Sequence, residues 1–241
     1  MITQNTRLSV NINKAATLRN ARGGNLPDLV QFAKDCEKYG AQGITVHPRP
    51  DERHIRYSDI PLLKEIVTTE YNIEGNPNRK FLDLVLANKP TQCTLVPDAP
   101  GILTSNQGWD TIKEASFLKD IVTELHTANI RVSLFVDAEE RFVEGAKAVG
   151  ADRIEFYTGT FAEQFLINKK QAVAPHKKCG QLANNIDIGI NAGHDLNLDN
   201  LKYYCKEVKN VLEVSIGHAL ICDALYFGLQ NVIPMYLRQL K

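Results

Sequence analysis

The sequence lacks several features that would assign a protein to a class at once. None of its five cysteines forms a C-x-x-C pair, and their odd number and wide spacing argue against both a disulfide framework and a zinc knuckle. The first residues contain no basic stretch followed by an apolar run, and no segment reaches the roughly 18 apolar residues of a membrane span. We therefore expect a cytoplasmic protein that does not bind membranes.

An excess of either charge is also missing. The chain has 28 basic and 28 acidic residues among 241, so it has no overall field to hold a nucleic acid or an anionic membrane surface. We expect no nucleic acid partner, and we expect ligands to be recognised locally. Apolar residues make up 44% of the chain and charged residues 23%, which is ordinary for a folded globular protein.

Short β-rich runs alternate with amphipathic helical stretches along the chain. Strands are predicted at residues 8–12, 43–47, 71–74, 93–96, 130–136, 153–156, 186–190 and 211–216. Helices are predicted at residues 27–39, 61–69, 109–128, 139–149, 160–183, 199–208 and 219–240. This alternation is typical of parallel β-α units joined by right-handed crossovers.

Eight such units favour an α/β fold of the (β/α)8, or TIM-barrel, type, which usually needs about 250 residues. The alternative is an open, doubly wound sheet. That fold normally has a glycine-rich turn after its first strand, whereas this chain has Asn13-Lys14-Ala15 there. No linker or low-complexity tract divides the sequence, so we predict a single barrel domain over residues 1–241.

Polar residues gather where the predicted strands end. In such barrels these carboxyl ends and the loops after them build the active site. Seven of the eight strands contribute candidates, namely Asn11, Asn13, His47, Arg49, Arg53, His54, Glu74, Thr104, Glu155, Asn191, His194 and His218. A single histidine there is more often a core or capping residue, but convergence favours function. His126 and His176 lie in helical stretches and are predicted at the surface.

Two glutamates, Glu74 and Glu155, occupy strand positions that face the barrel interior. An unpaired charge there would cost several kcal/mol, so either chemistry or a buried ion pair must explain them. Arg22, Arg49 and Arg53 are the arginines that could form such a pair. Position alone leaves both explanations open.

The turns after the last two strands, which contain Gly193 and Gly217, indicate anion binding. Glycine lets backbone N–H groups approach a phosphate, and the helix beginning near Ala219 would add its positive end; the alternative is that both glycines only permit tight turns. Residues 16–24 are predicted as a polar loop. Its arginines suit phosphate or carboxylate, and the alternative is that the loop is only a solvated surface. No metal site is expected, because the histidines lack H-x-H or H-E-x-x-H spacing.

The residues at these positions resemble a known family, and the similarity runs nearly end to end. It is carried by the motifs Val10-Asn11-Ile12, Ala16-Thr17-Leu18-Arg19-Asn20-Ala21-Arg22-Gly23, Gly43-Ile44-Thr45-Val46-His47, Arg53-His54-Ile55, Leu95-Val96-Pro97, Val132-Ser133-Leu134-Phe135, Asn191-Ala192-Gly193-His194 and Ile216-Gly217-His218-Ala219. On these motifs the chain resembles the pyridoxine 5'-phosphate synthase family, ring-closing enzymes of bacterial vitamin B6 synthesis.

The resemblance implies an enzyme that condenses 1-deoxy-D-xylulose 5-phosphate with 3-amino-2-oxopropyl phosphate, releasing phosphate and water. It implies an octameric barrel with no redox or pyridoxal cofactor. It also implies that His47 and Glu74 accept protons, that His194 donates one, and that Glu155 supports the transition state.

By the same resemblance, one group of residues would hold the amino-oxopropyl phosphate: Asn11, Arg22, Asp195, Gly217 and His218. Arg49, His54 and Thr104 would hold the sugar phosphate. The chain departs from the family at two places, with Asn13-Lys14 where Asp-His is common and Asp195 where glycine is common. Lys14 offers a cation in place of imidazole, but Asn13 cannot act as a carboxylate. We expect only the backbone of Asp195 to serve the anion, since its carboxylate would repel a phosphate.

Two other functions fit the same residues. One is a different phosphosugar lyase or isomerase on the same barrel, and the other is a barrel that binds a phosphorylated metabolite without catalysis, which the Asn13-Lys14 departure would favour.

Residues 97–108, with two glycines and several small polar residues, are the best candidate for a lid that excludes water.

Overall fold

The structure is a computed structural model that describes residues 6–98 and 105–241. Eight parallel strands form a closed barrel in sequence order, with the last strand hydrogen-bonded to the first. They are β1 (Arg7–Asn11), β2 (Gly43–Val46), β3 (Glu70–Gly75), β4 (Gln92–Leu95), β5 (Arg131–Val136), β6 (Arg153–Tyr157), β7 (Gly189–Gly193) and β8 (Val211–Ile216). The predicted (β/α)8 barrel is confirmed, and the open doubly wound sheet is excluded.

Helices surround the strands and bury one apolar face each. In the described residues they are α1 (Asn13–Asn20), α2 (Leu29–Lys38), α3 (Asp59–Ile66), α4 (Arg79–Asn88), α5 (Ala115–Thr127), α6 (Glu140–Ala148), α7 (Gly159–Asn185), α8 (Leu201–Glu207), α9 (His218–Phe227) and α10 (Leu229–Gln239). Helix α2 buries Leu29, Ala33 and Cys36, which lie on one face at helical spacing. No helix within residues 6–98 and 105–241 has the length and apolar character to cross a membrane.

The interior of the barrel is polar, whereas branched apolar residues are the usual filling. Alternate residues of each strand point inward. Asn72 on β3 bonds to Thr45 on β2 at 3.3 Å and to Thr94 on β4 at 3.1 Å. Asn191 on β7 donates to Gln92 on β4 at 3.3 Å, a bond that crosses the lumen because these strands are not neighbours. The outward-facing residues form the apolar core beneath the helices.

The amino end of the barrel is closed by buried ion pairs. Glu70 contacts Arg131, lies 2.9 Å from Arg7 and lies 3.6 Å from Arg153. Arg153 is also 3.8 Å from Glu213. These arginines and glutamates compensate one another's charge in a place that excludes water, so the interior can accept a ligand only at its carboxyl end.

One predicted loop is a helix. The polar loop expected at residues 16–24 is wrong for residues 16–20, because α1 continues through Asn20, while residues 21–24 form a turn. Its Arg19 points inward, where it donates to both carboxylate oxygens of Asp59 at 2.7 and 2.9 Å and to the carbonyl of His54 at 3.2 Å. Asn20 donates to the same carbonyl at 2.7 Å. Helix α1 therefore holds the loop that carries His54.

Other differences from prediction also have local causes. The helix predicted at 219–240 is two helices, because Gly228, with a φ of 76°, ends α9 before α10 begins. Helix α4 was not predicted, although Asn78 caps it. The surface position predicted for His176 is wrong, since its ring is buried and lies 3.1 Å from the Tyr204 hydroxyl. His126 is exposed, as predicted.

We expect Arg19→Met to destabilise the fold strongly, because Asp59 would stay buried without its cation. Breaking one side of a buried ion pair typically costs about 3–5 kcal/mol. Urea unfolding followed by circular dichroism measures the change. The matched control is Arg79→Met, which removes an exposed arginine paired with Asp83 and Glu124 and should leave the midpoint nearly unchanged. Equally small effects of both substitutions would contradict a structural role for the buried pair.

Candidate active site

A cavity of about 540 Å³ lies at the carboxyl end of the barrel. Every strand, or the loop directly after it, supplies a residue to its wall. The structure brings together in this wall most of the residues singled out from the sequence, namely Asn11, Asn13, Lys14, His47, Arg49, Arg53, His54, Glu74, Glu155, His194, Asp195, Gly217 and His218. Their convergence is what the barrel topology requires of residues at strand ends.

Three residues singled out from the sequence are not in this wall. Asn191 points into the barrel interior, where it donates to Gln92. Arg22 lies exposed in the turn after α1 and is not among the described residues that line the cavity. Thr104 lies outside the described residues, as does the central part of the predicted lid, residues 99–104. The roles assigned to Arg22 and Thr104 stay predictions.

The wall also contains residues that were not singled out from the sequence, among them Thr17, Ser105, Phe135 and Ser215. Phe135 represents β5, the one strand without a polar end, and pairs in register with Glu155. The sequence could have indicated Phe135, because alternate residues of a strand share a face, and this rule places Arg131, Ser133 and Phe135 together on the inner face. Ser215 follows Glu213 by the same rule.

Glu74 lies buried beneath the cavity among polar neighbours. Its carboxyl group accepts from Asn11 Nδ2 at 3.3 Å and hydrogen-bonds to Ser215. Burial, followed by the nearby Glu213, raises the pKa of Glu74 to about 8. The charge of Arg49, which pairs with Asp98 at 2.6 Å, lowers the pKa of Glu74 in part, but burial outweighs it and Glu74 stays mostly protonated at neutral pH.

Glu155 is the second buried carboxyl group. One of its oxygens, Oε2, has no hydrogen-bond partner, while the group bonds to Thr94. Burial first, and then the proximity of Glu74, raises its pKa well above the usual range. Glu155 also explains Gly193, since a Cβ there would collide with the carboxyl oxygen Oε1. Gly193 is therefore needed for close packing as well as for the turn.

His47 completes this acid-base cluster. Its Nδ1 lies 3.9 Å from Glu74 Oε2, and its backbone N–H donates to Asn13 Oδ1 at 2.9 Å. Burial, followed by the charges of Arg49, His54 and Arg53, lowers the pKa of His47 well below its usual value. At neutral pH the contact with Glu74 is therefore between neutral groups, and His47 is ready to accept a proton. Asn13, where the chain departs from the family pattern, therefore helps to hold the backbone at His47.

One side of the cavity is cationic. Lys14, Arg49 and Arg53 line it together with His54, and burial and these three cations lower the pKa of His54 to about 4. His54 Nδ1 accepts the backbone N–H of Ile55 at 2.9 Å. The neutral ring therefore carries its hydrogen on Nε2, where it can donate. This wall suits a phosphate.

A second element suited to anions lies at the start of α9, which follows β8, the neighbour of β1 in the barrel. Gly217 precedes this ten-residue helix, and Gly217, His218 and Ala219 all line the wall. Helix N-termini carry partial positive charge and unsatisfied N–H groups. Gly217 packs closely on Asn11, so that a Cβ would lie 3.1 Å from the Asn11 Cβ.

His194 follows β7 directly, and that strand ends three residues later than predicted. The His194 Nδ1 lies 2.9 Å from Asp195 Oδ2. The Asp195 carboxylate, which we did not expect to serve the anion, therefore turns to the neighbouring histidine.

Fold and site together define a class of protein: a β/α-barrel enzyme that moves protons on a small anionic substrate. Buried carboxyl groups with raised pKa values and a neutral histidine supply the acid-base chemistry. The cationic wall and the α9 terminus supply anion binding.

Comparison with known proteins identifies the family within this class. The family model for "Pyridoxal phosphate biosynthesis protein PdxJ" matches residues 8–241. Proteins named pyridoxine 5'-phosphate synthase from Flavobacterium johnsoniae and Cytophaga hutchinsonii are each 59% identical over 236 residues, which cover 98% of this chain and 100% and 99% of theirs. A third, from Parabacteroides distasonis, is 55% identical over 96% of this chain and 97% of its own. The chain belongs to this family, and the resemblance predicted from its motifs is confirmed.

Solved structures of lower identity share the barrel. A tryptophan synthase chain from M. tuberculosis superposes with a TM-score of 0.65 at 11% identity, covering 99% of this chain and 94% of that one. Thiamine phosphate pyrophosphorylase from Pyrococcus furiosus gives 0.61 at 12% identity, covering 99% and 96%. At such identities the likeness extends to the fold alone.

Glu74→Gln should keep the fold, lose activity and flatten the dependence of stability on pH. The raised pKa means that the folded state holds this proton more tightly than the unfolded state. Stability from Glu74 is therefore full below its ordinary value of 4.5 and is lost as pH rises through about 8. Urea unfolding from pH 5 to pH 9, in both proteins, measures the difference. A large loss of stability in the variant at every pH would instead favour the buried ion pair.

Proposed function

We propose that the chain is a pyridoxine 5'-phosphate synthase that condenses 1-deoxy-D-xylulose 5-phosphate with 3-amino-2-oxopropyl phosphate. The products are pyridoxine 5'-phosphate, inorganic phosphate and water. One observation carries the proposal: a single cavity is lined by two elements suited to anions together with Glu74, Glu155 and His47. That arrangement fits two phosphorylated carbon chains whose reacting ends must meet. The whole barrel would act as one domain.

The reaction needs protons moved at several steps, because imine formation, dehydration and aldol-type closure each do so. His47, neutral at neutral pH, would accept a proton. Glu74 is mostly protonated there because its pKa is raised to about 8, so it would accept a proton only after giving up its own. A group with a pKa near the working pH exchanges protons efficiently. His194 would donate a proton. Glu155, protonated by burial, would stabilise the transition state as a hydrogen-bond donor.

The two substrates would occupy different parts of the cavity. Asn11, Gly217 and His218 support binding of the amino-oxopropyl phosphate, because they border the N-terminus of α9. Arg49, His54 and Lys14 support binding of the sugar phosphate through two cations and a neutral N–H donor. Arg22 and Thr104 are proposed for the two sites from the resemblance alone, and Asp195 from its place beside His194. No cofactor or metal takes part in this proposal.

We propose further that the enzyme works as a cytoplasmic homo-octamer. Exposed apolar side chains support contacts between copies, and they lie on α7 and at the end of α9, namely Leu166, Ile167, Leu225, Tyr226 and Phe227. Sedimentation equilibrium should give about eight times the 27.0 kDa mass of one chain. A species of one or two chains at micromolar concentration would contradict this.

The assay that tests the function supplies both phosphates to the purified protein. Inorganic phosphate and the pyridoxine chromophore should appear together, and omission of either substrate should abolish both signals. Conversion of the sugar phosphate alone would point instead to a phosphosugar lyase or isomerase. Binding without any product would indicate a barrel that only holds a metabolite.

His194→Asn should lower turnover by about a hundredfold or more, as expected for loss of a group that transfers a proton. Phosphate release under saturating substrates measures it. His126→Asn changes an exposed histidine on α5 that does not line the cavity, and should leave turnover unchanged. Equal turnover in both variants would reassign His194 to a structural role.

A further inference from the structure

The turn after β7 holds two residues in an uncommon backbone conformation. His194 and Asp195 have φ angles of 83° and 58°, in the left-handed region that most side chains avoid but that Asp and His tolerate. Thr158 Oγ1 bonds to the carbonyls of Gly193 and His194, each at 2.5 Å. Asn200 donates to the carbonyl of Asp195 at 3.2 Å. Hydrogen bonds from Thr158 and Asn200 therefore hold the backbone of this turn, and with it the side chains of His194 and Asp195.

This backbone brings the two side chains together. His194 Nδ1 lies 2.9 Å from Asp195 Oδ2, and the ring packs against Tyr157 with 5.1 Å between ring centroids. The bond from His194 lowers the pKa of Asp195, so its carboxylate is charged near neutral pH. A carboxylate at this distance accepts a hydrogen from Nδ1 and favours the protonated ring.

We propose that Asp195 is a positioning residue for His194, holding its Nδ1 hydrogen so that Nε2 is the nitrogen that gives a proton to the bound substrate. This inference rests on the proposed function. It assigns the Asp195 side chain to the proton donor and not to the phosphate. The arrangement also removes a conflict, because a carboxylate facing the anion would repel it, whereas this one faces the His194 ring.

Other ionisable groups lie near the His194–Asp195 pair, and their effects on its charge differ in sign. Tyr157 and Glu155 come from β6, His218 from α9 and Glu163 from α7. The buried carboxyl group of Glu155 is protonated, since burial raises its pKa well above the usual range, and it adds little charge. The positive charge of His218 lowers the pKa of Asp195 further. The Asp195 carboxylate is the charged group in direct contact with the His194 ring.

Three variants test the proposal in the intact oligomer. Asp195→Asn keeps the shape and tolerates the backbone conformation but loses the charge, and Asp195→Gly also relieves the backbone. Asp199→Asn removes an exposed carboxylate from the same loop and is the matched control. Exchange of the imidazole C2 hydrogen, followed by mass spectrometry of peptides across a pH series, reports the titration of His194 without any substrate.

We expect the titration midpoint of His194 to move to lower pH in Asp195→Asn and Asp195→Gly and to stay fixed in Asp199→Asn. Turnover should fall about tenfold in the first two, as for one pH unit of lost protonation, with the KM for each phosphate nearly unchanged. The alkaline limb of the rate profile should move to lower pH with the midpoint.

An unmoved His194 midpoint in both Asp195 variants would overturn the proposal whatever the activity. A raised KM with unchanged turnover would also overturn it, because Asp195 would then serve the substrate directly. If the unaltered protein made no pyridoxine phosphate but the midpoint moved, the proposed function would fail, while the coupling of Asp195 to His194 would be supported.

Discussion

Two carboxyl groups buried side by side constrain the rest of the site. Glu74 and Glu155 face the inside of the barrel, where burial raises the pKa of both groups and the proximity of Glu74 raises that of Glu155 further. Little of either side chain is accessible to water, and no arginine is in direct contact with them in the described ion pairs. A protein that keeps such groups uncharged has a source and a sink of protons at neutral pH.

The surroundings of these groups follow from that constraint. Glu70 and Glu213, at the other end of the barrel, are matched by Arg7, Arg131 and Arg153, so that end is structural. The carboxyl end holds its cations at the rim, where Arg49 pairs with Asp98. Charge for binding anions is therefore separated from the neutral groups that move protons.

The sequence predicted the barrel and most of the cavity wall, because alternation of strands and helices and polar residues at strand ends are local signals. It did not predict α1, since the burial of Arg19 depends on Asp59, forty residues away. It placed His176 at the surface for the same reason, as Tyr204 is its distant partner. The contact of Asp195 with His194 required the backbone angles of the turn, which no residue pattern specifies.

The central claim is that Glu74 is a neutral acid at neutral pH. Infrared difference spectroscopy across a pH series measures this directly, through the carbonyl stretch of a protonated carboxylic acid. The account predicts a band that disappears with a midpoint near pH 8 and that is missing in the Glu74→Gln protein. A spectrum in which every carboxyl group has ionised below pH 6 would contradict it.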